Sequence, residues 1–203
     1  MTMQYPAFFD EVRPIVLYDP LAEFLGAAKD GIIEYRYLDA VKLAGHSCPT
    51  VAGAWLMTRA ALTRLYPGQM PRRGELRLEM REAQEAGVTG VIASIAGLVT
   101  GAAGPGGFAG LGGQHARRGL LAFAKPMRGQ MRITRLDTGE AVQVSHHPEV
   151  VPRPPGLGPL LQAALAPDAS AAAREAFASA WQGWVRAMLI DHADDPALIT
   201  VEE

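Results

Sequence analysis

Only one cysteine, Cys48, occurs in 203 residues, so no intrachain disulfide can form and the cytoplasm is the default expectation. A strong charge of either sign is also missing: 19 Lys and Arg stand against 21 Asp and Glu, a formal net charge of -2. That balance excludes a general attraction to nucleic acid or to anionic membrane. No apolar run reaches the about 20 residues that a membrane-spanning helix needs. The longest, Gly87 to Ala103, is interrupted by Thr89, Ser94, Thr100 and several glycines, and it reads as a buried helix. Met1 to Pro6 lacks a basic stretch followed by an apolar segment, so no secretory signal is expected there. The pairs Arg72-Arg73 and Arg117-Arg118 are too short for a basic binding patch and read as solvated turns. What is present is ordinary globular composition, 49% hydrophobic and 20% charged, sufficient for a packed core.

Hydrophobic periodicity divides the chain. Asp19 to Ala28 reads as a short helix with Asp19 as N-cap, Pro20 at the first position, and Leu21, Phe24 and Leu25 on one face. Ile32 to Leu38 alternates and is rich in β formers, which predicts a strand continuing through Val41 and Leu43 to Gly45. Pro49 to Tyr66 reads as an apolar helix, with Val51, Trp55, Leu62 and Leu65 at helical spacing and Pro67-Gly68 as its stop. Glu75 to Glu82 is the cleanest alternating segment, Leu76, Leu78 and Met80 facing inward. After the glycine-dense stretch Gly104 to Gly113, strands are predicted over Gly119 to Lys125, Gln130 to Leu136 and Ala141 to Ser145. Pro148 to Pro159 reads as a proline-rich linker. Helices follow over Leu160 to Ala166 and Asp168 to Ile190, the second striped by Phe177, Trp181, Trp184, Val185 and Met188. Ile199 to Val201 adds a terminal strand. The order implies an α+β fold, a mixed, mainly antiparallel sheet with helices packed on it. Residues 1–150 form the main domain, and 151–203 the linker and helices packing against it.

Chemistry concentrates in Gly45-His46-Ser47-Cys48-Pro49, between a predicted strand and a helix. His46 and Cys48 lie two apart, a spacing that turns both side chains one way on extended backbone. Cys48 falls at a helix N-terminus, where the positive end of the macrodipole favours a thiolate. Imidazole and thiolate together suit zinc, copper or iron. A third ligand must come from elsewhere, and His115, just past the glycine-rich segment, is the best candidate, ahead of Glu82, Glu85 and Gln114. His146 and His147 point to opposite faces, and His192 reads as a C-terminal capping residue. A buried cysteine is more often a small hydrophobe, and a Cys–His nucleophile pair lacks an orienting third group. The glycine segment matches neither a dinucleotide nor a Walker motif and reads as a flap.

Leu38 to Thr50, with its Gly45-His46-Ser47-Cys48-Pro49 core, resembles the Gly-His-x-Cys-Pro-Gly signature of the FmdE-like family of formylmethanofuran dehydrogenase operons. The resemblance spans roughly Tyr35 to Pro148. It implies an α+β fold like the catalytic domain of glyceraldehyde-3-phosphate dehydrogenase, a homodimer, and a transition-metal site on His46 and Cys48. Thr50 replaces the usual glycine, and the further cysteine at the start of the next apolar helix is absent from Glu85-Ala86-Gly87-Val88. The leading expectation is a metal-binding protein, zinc first, with His46, Cys48 and His115 as ligands and a small-molecule ligand as a further possibility. A second expectation is haem b on His46 and Cys48 under the glycine flap. A third is a dimeric interaction module using the helices over Gly87 to Ala103 and Asp168 to Ile190.

Overall fold

A computed structural model describes residues 3–203. Met1 and Thr2, the start of the stretch read as lacking a leader, lie outside the described residues. The architecture is α+β, with two sheets and six α-helices among the described residues. No helix among them is long and apolar enough to cross a membrane.

A small hairpin sheet pairs β1 (Ile15–Tyr18) antiparallel with β2 (Ile32–Tyr35) around α1 (Pro20–Phe24). The main sheet has the order β4-β3-β5-β6-β7, from β3 (Leu76–Met80), β4 (Leu121–Ala122), β5 (Met131–Arg135), β6 (Ala141–His146) and β7 (Ile199–Glu202). Only β3 and β4 run parallel, and the other pairs are antiparallel. α3 (Pro49–Leu65) lies along β6 and β7, and α4 (Thr89–Thr100) packs beside it and on β3. The opposite sheet face carries polar side chains such as Arg132 and Glu79, paired at 2.8 Å. The hydrophobic core therefore lies between one sheet face and α3–α4, and Val51, Trp55, Leu62 and Leu65 of α3 are buried there.

Alternation placed β3 correctly, with Leu76, Leu78 and Met80 buried. The predicted continuation of β2 through Val41 and Leu43 is corrected: α2 occupies Tyr37–Ala44. Tyr37, Ala40 and Val41 are buried at helical spacing, and Asp39 Oδ2 accepts the Arg36 N–H at 2.8 Å to start the helix. α1 is shorter than expected and ends at Phe24, leaving Phe24 and Leu25 exposed rather than on an inner face. The strand expected over Gly119 to Lys125 shrinks to two residues, because Gly119 and Ala124 both take positive φ. β1 was not signalled by the sequence.

α5 (Leu157–Leu165) begins within the stretch read as linker. α6 (Ala171–Arg186) is capped by Ser170, whose hydroxyl accepts the Ala173 N–H at 3.1 Å, and it runs into a π turn over Ala187–Asp191. β7 completes the sheet, so the C-terminal segment shares the core with the rest of the chain.

His146, at the end of β6, is half-buried against the α3 backbone at Gly53, and its enclosed Nε2 has no partner among the described residues. Desolvation, helped by the neighbouring His147, pushes its pKa down to about 4 from 6.5. The unfolded chain therefore binds this proton between about pH 6.5 and 4 while the folded chain does not, and stability falls across that window. His146→Gln is expected to flatten this part of a urea-denaturation pH series. An unchanged slope would place the titration elsewhere.

Candidate functional site

α2 ends on Gly45, whose φ of 74° is the left-handed conformation that glycine adopts without strain. The chain then turns, and Cys48 takes extended backbone as N-cap of α3, with Pro49 in the first turn where a missing N–H costs nothing. Ser47 points inward and is buried, its hydroxyl 3.0 Å from the Tyr37 hydroxyl. Tyr37 itself is held well above its usual pKa, chiefly by burial, and stays neutral. His46 is exposed and Cys48 half-buried.

Two interactions fix this loop. The Ser47 carbonyl accepts from Trp181 Nε1 at 3.0 Å and Gln182 Nε2 at 3.1 Å, tying α6 to the loop. His46 Nδ1 lies 2.9 Å from the Ala44 carbonyl. A carbonyl only accepts, so Nδ1 is the donor in this contact, and in the neutral ring Nε2 is then the nitrogen left to accept. That is the orientation in which a ligating histidine is normally held by its outer partner. Trp181 and Gln182 were not anticipated as site residues. Trp181 was visible only as part of an apolar stripe, and nothing in the sequence ties α6 to residue 47.

His115 stands apart. It lies just past the glycine segment with φ 59°, its ring stacked on Phe24 at 5.7 Å between centroids. Among the described residues no three His, Cys, Asp or Glu side chains stand together to hold a metal ion, so His46, Cys48 and His115 are not gathered. Glu82 pairs with Arg81 at 2.9 Å. His192 does end its helix, but its Nδ1 faces Asp195 at 3.0 Å.

The glycine segment folds on itself, with Leu111 and Gln114 exchanging backbone hydrogen bonds and Phe108 O accepting from Arg117 and Arg118. The cavities of 340–550 Å³ in this structure are lined by neither His46 nor Cys48. The loop thus carries an exposed imidazole and a half-buried thiol at the N-terminus of α3.

The solvated-turn reading is corrected for one member of each arginine pair, Arg73 and Arg117, while Arg118 is exposed. Arg117 and Arg73 both converge on Asp19, which is 2% exposed. Asp19 Oδ1 accepts from Arg117 at 2.6 Å and from the α1 N–H groups of Leu21 and Ala22, while Oδ2 accepts from Arg73 at 2.8 Å. Arg73 also donates to the Val99 and Leu98 carbonyls at the end of α4. This ion cluster anchors the C-terminal end of the glycine segment to α1 and α4.

No protein-family model matches the chain, and no curated protein is similar to it in sequence.

Proposed function

We propose that this protein binds a transition metal, zinc first, through His46 and Cys48 at the N-terminus of α3, as a cytoplasmic homodimer related to the FmdE-like family. The observation that carries the reading is the His46 Nδ1 contact with the Ala44 carbonyl, which leaves Nε2 as a directed donor two residues from a half-buried thiol. The donor set fits half of a tetrahedral site. The other positions fall to water, a small-molecule ligand or a second protein, which favours a carried or exchangeable metal over a closed structural one. The haem reading is disfavoured, since the larger cavities lie away from His46 and Cys48 and the glycine segment turns toward α1 instead of over the loop. An interaction module resting on α4 is also disfavoured, since its apolar residues are covered by α3 and β3.

Elemental analysis of anaerobically purified protein is expected to find bound metal that is lost in Cys48→Ala and in His46→Ala. Losing either of two donors should weaken zinc binding by about 10-fold or more. Retention in His115→Ala is expected, because that ring is engaged with Phe24. A protein that stays metal-free after incubation with zinc overturns the proposal.

A further inference from the structure

The outer side of α3, away from Cys48, forms one wall of a cavity of about 440 Å³ against the segment Ala193 to Val201. Its walls include Ala60 and Pro67 on one side and Ile199 and Val201 on the other, and Arg13, Arg59 and Arg64 line it together with the carboxylates of Asp194 and Asp195, Arg64 being paired with Glu203. Arg59 is 9% exposed and Arg13 and Thr63 line a smaller adjoining cavity with it, of about 220 Å³.

The charges are unevenly matched. Both protein contacts of the Arg59 guanidinium leave from Nη2, one to the Ala193 carbonyl and one to Asp194 at 2.7 Å. Arg13 shares that carboxylate at only 3.3 Å, with both side chains about two-thirds exposed, at 66% and 65%. Such a pair contributes little by itself. Asp195 is turned toward His192 and the Ala197 N–H. Two guanidiniums therefore depend on the Asp194 carboxylate. Burial, and the like charge of Arg13, hold Arg59 below its ordinary pKa against the pull of Asp194.

We infer that this cavity binds a small amphipathic carboxylate, its head paired with Arg13 and Arg59 and its chain lying over Ala60, Ile199 and Val201. A guanidinium fork recognises a carboxylate bidentately. A pocket of this size, largely apolar with a few convergent polar groups, suits a ligand of that kind. The incoming head takes the acceptor place that Asp194 holds weakly at Arg13.

Calorimetric titration of the full chain with octanoate, octanol and octylammonium tests this. Octanoate is expected to bind saturably at one site. The alcohol and the ammonium should bind at least tenfold more weakly. Shortening the carboxylate should cost about fourfold per methylene removed, the equivalent of the usual apolar transfer free energy. Arg13→Gln and Val201→Asp change exposed positions, so the fold is retained, and each should reduce octanoate affinity about fivefold or more. Octanol binding as tightly as octanoate, or octanoate affinity unmoved in both variants, overturns the assignment.

Discussion

Asp19→Ala is expected to destabilise the fold by about 3–5 kcal/mol, the cost of leaving a buried charge without its partner. Arg117 is only 6% exposed, and its Nε and Nη1 already lack an acceptor among the described residues. Removing Asp19 leaves that guanidinium without the carboxylate it hydrogen-bonds, and only Glu75 still acts on it, through its charge alone. The melting temperature of a chain this size should fall by about 6 °C or more. Asp19→Asn separates two roles: it retains an acceptor for the Leu21 and Ala22 N–H groups, a cap of about 1 kcal/mol, but not the charge. The same carboxylate gives an acid signature. Burial alone would raise its pKa, but Arg73, the Ala22 N–H and Arg117 together pull it below 3.8. Its stabilising contribution is therefore complete above about pH 4 and declines as pH falls toward the depressed folded value. An Asp19→Ala, Arg117→Leu double variant should recover part of the loss in urea denaturation. Strict additivity of the two single changes would mean that they do not act as one cluster.

Gly53→Ala is expected to cost about 2–3 kcal/mol, although alanine in a helix interior normally gains about 1 kcal/mol over glycine. A Cβ at this position would lie 2.5 Å from Cγ and Cε1 of His146 and closer still to Nδ1. The ring has little room to retreat, since β6 pairs His146 with Ile199 of β7. His146→Ala should reverse the sign by opening the space, so that Gly53→Ala becomes neutral or favourable in that background. Thermal denaturation of the four proteins forms the cycle, and a Gly53→Ala protein as stable as wild type would show that the sheet yields to the new methyl group.

The parts of the fold that could be read from sequence are those governed by local periodicity. α3 and β3 carry unbroken patterns bounded by Pro67-Gly68 and by charged alternation, and both formed as expected. α2 was hidden because Tyr35, Tyr37 and Leu38 favour strands when read in twos, whereas Tyr37, Ala40 and Val41 bury a helical face. The site divides in the same way. His46 and Cys48 come from one turn, so their place at the start of α3 follows from the sequence alone. The place of His115 depends on how a glycine-rich segment folds over many residues, and Phe24, the partner that fixes it, belongs to another element. Burial of Arg117 is set by an aspartate 98 positions earlier, which no local pattern encodes.

The double anchoring of the Ser47 carbonyl bears on the order in which the molecule is assembled. Its donors lie 134 and 135 positions further along the chain. A ribosome therefore delivers the His-x-Cys loop long before it delivers the residues that immobilise it. Until α6 docks, the loop has only the Tyr37 hydroxyl contact, the local His46–Ala44 contact and its own backbone to restrain it. Hydrogen-exchange protection of residues 46–48 should consequently appear late in refolding, together with that of α6 and after that of the α3–α4 pair.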